Sequence, residues 1–95
     1  MATKQIAVLV TTEYKGVFFG YIPQADFTAN ETIMSQARNC IYWSSNTKGF
    51  LGLTADGPND ECRIGAMAGG DIVLKKITSI TKVSEKAEAV WNTYK

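Results

Sequence analysis

A mainly β fold is what this sequence predicts: a small, strongly curved antiparallel sheet or SH3-like barrel with one C-terminal α-helix. Three observations carry that expectation. Short runs rich in Val, Ile, Thr, Tyr and Phe recur along residues 5–83. Turn-forming residues punctuate them. The apolar period becomes helical only after Ser84. A chain of 95 residues makes one domain, 1–95, with one modest core.

Taken in order, residues 5–14 (QIAVLVTTEY) place Ile6, Val8, Val10 and Thr12 on one face and Leu9 on the other. That is the pattern of a strand buried largely on both sides. Lys15-Gly16 is a short turn, and residues 17–22 (VFFGYI) resume as a strand that Pro23 stops. Strands joined so tightly form an antiparallel hairpin. Residues 24–31 (QADFTANE) read as a loop or second turn. Residues 32–37 (TIMSQA) read as strand in preference to a helical turn, because no helical stripe runs through them. Residues 40–43 (CIYW) form a short aromatic strand, 44–49 (SSNTKG) a turn, and 50–54 (FLGLT) a returning strand that completes a second hairpin. Asp56-Gly57-Pro58-Asn59-Asp60 is the strongest loop signal in the chain. Residues 62–67 (CRIGAM) read as strand, Gly69-Gly70-Asp71 as a tight turn, and 72–83 as one long strand or two joined by a bulge. The helix, about 84–94, has Ser84 as N-cap and Glu85 in its first turn. Ala87, Val90, Trp91 and Tyr94 fall at helical spacing, as a lid on the sheet requires. A core this small makes a homo-oligomer the expectation, through an edge strand or an apolar patch.

Composition removes much chemistry. The chain has no His, so it builds no Ser-His-Asp or Cys-His nucleophile pair and no HExxH zinc helix. Two Cys exclude a four-cysteine zinc site within the chain. Asp56, Asp60 and Glu61 match no EF-hand spacing. No catalytic constellation, metal or cofactor is therefore expected, although carboxylate acid–base chemistry stays open. The net charge of +1 disfavours a nucleic-acid binder or an anionic-membrane binder. The run Ile6–Val10 is far short of the roughly 18 residues that span a bilayer, and no signal-peptide pattern follows it. A cytoplasmic protein with Cys40 and Cys62 reduced is expected.

The densest functional candidate runs from Arg38 to Gly57, with Arg63 close behind. Arginine grips phosphate or carboxylate at two points. Tyr and Trp offer flat faces on which a base stacks. Glycine-rich turns expose backbone N–H groups to anions. In this reading Tyr42 or Trp43 stacks on a base, and Arg38, Lys48 and Arg63 meet phosphates. Asn39 and Thr47 supply polar readout, and the turn at Gly57 shapes the rim. The competing reading is structural. Tyr42 and Trp43 are adjacent in a strand, so one faces the core and the other water. Arg38 then pairs only with Asp56 or Glu61.

Ala37-Arg38-Asn39, Ile41-Tyr42-Trp43, Thr47-Lys48-Gly49, Leu53, Gly57-Pro58 and Cys62-Arg63-Ile64-Gly65 form a further pattern, with Val10-Thr11-Thr12 and Gly16-Val17-Phe18 upstream. It resembles a family of small uncharacterised tailed-phage proteins. The resemblance implies a β-rich domain made in the cytoplasm of an infected bacterium and supplies no activity. Two expectations follow. One is a non-enzymatic protein that sequesters a nucleotide-derived immune signal, such as a cyclic dinucleotide. The other is a module that docks on a host or phage protein, by β-augmentation for example. A small-barrel nucleic-acid binder stands third.

Overall fold

In the computed structural model the chain is described for residues 4–13, 16–43 and 50–94. Strand β1 (Gln5–Thr12) and strand β2 (Val17–Pro23) form the expected antiparallel hairpin, with Leu9 opposite Phe19 and Val8 opposite Gly20. A 3-10 turn, Gln24–Asp26, follows Pro23, whose ring ends the strand. Strand β3 (Thr32–Tyr42) pairs β2 on one flank. On its other flank lie the short β4 (Arg63–Ile64) and β5 (Ile72–Leu74). Strand β6 (Ile77–Lys82) then crosses back to β1. The sheet order is β4-β3-β2-β1-β6, with β5 also on β3. Since β5 and β6 are nearly continuous, one stretch of chain joins both ends of the sheet and curls it. The change of partner occurs at Lys76, whose φ is +56°, with Lys76 O accepting from Glu13 N at 2.9 Å. Gln36, at φ +53°, marks the matching irregularity in β3. The stretch 72–83 is thus two strands rather than one.

Strand alternation sorts the apolar side chains into two layers. Val8, Val10, Ile22, Met34, Ala37 and Leu74 fill the inside of the curl. Leu9, Val17, Phe19 and Cys40 face outward, where two helices cover them with Leu53, Ala87 and Trp91. Helix α2 (Glu85–Thr93) is the predicted lid, and its N-cap is Ser84, whose hydroxyl accepts from Ala87 N at 3.1 Å. Trp91 is fully buried and stacks on Phe19, with ring centroids 5.0 Å apart and planes 3° from parallel.

The second hairpin does not form. Residues 50–54 lie in helix α1 (Phe50–Ala55), and the flank of β3 goes to β4 and β5. Leu53 is the reason: it is fully buried in the outer layer, and its carbonyl accepts from Trp91 Nε1 at 3.1 Å. Ser84 secures the end of the same helix, its N–H donating to Thr54 O and its hydroxyl to Ala55 O. The expected strand 62–67 shrinks to Arg63–Ile64, after which Gly65 N and Ala68 N donate to Asn39 O and Ala37 O. The predicted turn at 44–49, and Lys15, lie outside the described residues. Among the described residues no helix is long and apolar enough to cross a membrane.

Trp91→Ala should lower stability by about 3–5 kcal/mol, because it empties a buried site the size of an indole. Trp91→Phe should cost less, about 1–3 kcal/mol, chiefly from the unpaired Leu53 carbonyl. Urea denaturation of the two variants checks both values and their order.

Candidate functional site

The predicted site residues part company in three dimensions. Arg38 is 9% exposed and spends its guanidinium on the backbone. Its Nε donates to Gly65 O at 3.2 Å, and its Nη1 donates to Trp91 O and Tyr94 O, both at 2.9 Å. A cation here satisfies carbonyls at the end of α2 and opposes the negative end of the helix dipole. Neither Asp56 nor Glu61 is its partner; Asp56 instead meets Lys86 Nζ at 3.1 Å. Gly57 is structural too. It is buried at φ +80°, and a Cβ there would lie 2.8 Å from Val90 Cβ. Tyr94 completes this end of the molecule, its hydroxyl 2.7 and 2.6 Å from the carbonyls of Asn59 and Cys62.

Of the others, Asn39 and Tyr42 lie along the end of β3 with Trp43 directly after it, and Arg63 lies opposite Tyr42 on β4. Tyr42 is 52% exposed and stands opposite Arg63, itself exposed, in the ladder. Trp43 is half-buried against the outer layer, so the adjacent aromatic pair divides between core and water as strand geometry requires. Asn39 is exposed, and its carbonyl accepts from Gly65 N at 2.8 Å. Thr47 and Lys48 lie outside the described residues. Two further exposed apolar residues, Ile41 beside Tyr42 and Met67 on the stretch after β4, lack any chemical motif that would single them out. Ile41 is 62% and Met67 47% exposed, and the signal for both is only that an apolar side chain has no layer to enter.

The two thiols are set into the frame. Cys40 and Cys62 are both buried and free. Burial, reinforced by Cys62, pushes the Cys40 thiol up to about 12. Among the described residues no group of three His, Cys, Asp or Glu side chains is placed to hold a metal ion. The described clefts lie elsewhere: one of about 370 Å³ runs between Pro58 and α2, and another of about 570 Å³ runs beside Lys75 and Lys76. At the corner where β3 ends and β4 begins, Ile41, Tyr42 and Arg63 are exposed, with Tyr42 and Arg63 a ladder pair.

Comparison with known proteins matches the chain to a family described as "Domain of unknown function (DUF6948)", over residues 5–91. No curated protein and no solved structure matches the chain.

Arg38→Ala should destabilise the protein by about 1–3 kcal/mol, because it strips carbonyls at the helix end of their donor. Arg38→Lys should not restore the loss, since one ammonium cannot span three carbonyls in the plane of a guanidinium. Chemical denaturation tests both. Alkaline pH offers a second check. The folded-state pKa of Cys40 is raised, so its contribution is intact below the ordinary thiol value and is lost as pH rises toward about 12. Stability should therefore fall between about pH 9 and 12, with a shallower fall in Cys40→Ala.

Proposed function

We propose that this chain, which belongs to the DUF6948 family, is a non-enzymatic binding module that docks on a protein through its β3–β4 corner. The supporting observation is one of placement. Ile41 and Tyr42 at the end of β3 are 62% and 52% exposed, Tyr42 stands opposite Arg63 in the ladder, and Met67, on the stretch after β4, is 47% exposed. Tyr, Met and Arg are enriched where protein interfaces bind most tightly, because each brings a large contact area. The resemblance of residues 37–65 to tailed-phage proteins supports a bacterial host protein as the partner class. Among the described residues the corner offers contact area from Ile41, Tyr42 and Arg63, which fits a module that works by occupancy.

One observation favours a second reading. The Tyr42–Arg63 cross-strand pair sets a stacking face beside a two-point anion grip, the combination a nucleotide-type ligand needs. An oligomer that sequesters such a ligand would use the same two side chains and would close the open corner with a second copy.

One set of variants separates the readings. A photo-crosslinking residue at position 67, introduced in the producing cell, should trap a single partner, and the purified pair should then be titrated by calorimetry. Tyr42→Ala and Arg63→Ala should each weaken binding at least tenfold, as hot-spot residues do at about 1.4 kcal/mol or more. Their melting temperatures should stay within a few degrees of the parent. Failure to trap a partner, together with a ligand-induced rise in melting temperature for a cyclic dinucleotide or ADP-ribose derivative, transfers the corner to the second reading. Light scattering in the same experiment reports whether that binding species is oligomeric.

A further inference from the structure

The far end of the sheet carries a feature that the corner does not use. Strand β6 is the terminal strand of the order, and among the described residues the strand that pairs with it is β1. The direction of its free backbone groups can be read from the register. Val83 N donates to Ala7 O at 3.1 Å, and Leu9–Thr81 and Thr11–Ser79 share the parity of that pair. The N–H and C=O groups of Ile80 and Lys82 therefore point to the opposite flank.

That flank faces a trough. Its outer wall is the segment from Phe27 to Asn30, and its inner wall is Ile77 to Ile80, enclosing about 200 Å³. At Asn30, Ile77 and Thr78 it continues into the cleft of about 570 Å³ beside Lys75 and Lys76. The described backbone bond between the walls is Ile77 N to Asn30 O, at 3.0 Å, near one end. From Thr78 to Lys82 the free flank is about 13 Å long at ~3.3 Å per residue, the length of a short extended segment. Half-buried Ile77, Ile80 and Phe27 give the trough an apolar bed continuous with the inner layer.

Charge decides between occupants. The ionisable side chains of the β5–β6 stretch that borders the trough are Lys75, Lys76 and Lys82. Glu13 and Glu31 line the Lys75–Lys76 end, whereas Lys82 stands at the other end with its ammonium 5.2 Å above the Phe27 ring. Lys82, at the end of the edge strand, deters pairing with a copy of the same chain and attracts a strand of opposite sign.

We infer that the free edge of β6 is a strand-addition site for an extended acidic peptide segment that alternates apolar and carboxylate side chains. Main-chain bonds to Ile80 and Lys82 would hold it, apolar side chains would rest on Ile80 and Phe27, and a carboxylate would meet Lys82. This site is separate from the β3–β4 corner, so a chain using both would join two partners.

The probe is a fluorescein-labelled heptapeptide, Glu-Val-Glu-Val-Glu-Val-Glu, followed by polarisation. Saturable binding that weakens as salt rises is expected, with amide shifts concentrated in residues 27–30 and 78–82 by NMR. Lys82→Ala should weaken it severalfold. Lys82→Pro should abolish it, because proline removes an N–H that faces away from β1 and leaves the β1 ladder intact. The same peptide N-methylated along one edge should fail to bind, a control that needs no altered protein. Tyr42→Ala should bind as the parent does. Equal binding of the Lys-Val counterpart, shifts at the β3–β4 corner instead of β6, or no saturable binding would each overturn the inference.

Discussion

A strand that is apolar on both faces must be covered on both, and the architecture of this chain follows from that requirement. Val8 and Val10 on one side of β1, and Leu9 on the other, are all essentially inaccessible to water. With about 25 cal/mol gained per Å² of apolar surface buried, a flat sheet open to solvent on either face would forfeit much of the core. Curling the sheet through the β5–β6 junction covers one face with the sheet itself. The helices cover the other, and the Trp91–Phe19 stack is the point where lid and sheet meet. Lys76 in its left-handed conformation is the local cost of the curl, of order 1–3 kcal/mol.

Polar groups trapped by this arrangement must be paired, and that requirement assigns Arg38. Bringing α2 across the outer layer puts the Trp91 and Tyr94 carbonyls near β3, where among the described residues no backbone donor reaches them. A guanidinium with its fork of donors does. Tyr21 does similar work at the rim, donating to Glu88 at 2.6 Å and accepting from Asn92 at 2.9 Å. Burial, with Glu88 adding to it against the opposing effect of Asn92, holds the Tyr21 hydroxyl above its usual value. In a protein of this size a charged side chain is thus drawn into the frame before a ligand can claim it.

What could be read from the sequence divides along the same line. The β1–β2 hairpin, the curvature and the Ser84-capped helix were legible because alternation, turn residues and an N-cap are local signals. Helix α1 was not. FLGLT has no helical stripe of its own, and it turns helical because Leu53 is needed beneath Trp91, a residue 38 positions away. The β3 partners were illegible for the same reason, since two- and three-residue strands are defined by the edge they cover. At the site, the adjacency of Tyr42 and Trp43 announced a division between core and water, and the structure divides them so. Arg38 misled because residue type states what a side chain is able to bind and leaves open what it binds first.

The exposed features then share one origin. β3 has eleven residues, whereas β4 and β5 have two and three, so the covering strand lifts off between them. Ile41 and Tyr42 lie past the reach of the lid, and Met67 sits on the lifted stretch. The curl that closes one end of the sheet at β5–β6 leaves the outer flank of β6 facing a loop instead of a strand. Both surfaces are therefore consequences of closing a six-stranded sheet with too little chain to finish its edges. Natural sheets blunt such edges with charge or cover. Here the lysines of the β5–β6 stretch supply charge at one edge, while at the other Ile41 and Tyr42 stand exposed. Exposed apolar side chains beside a guanidinium are the commoner mark of a contact surface, and that is why the β3–β4 corner carries the proposed docking role.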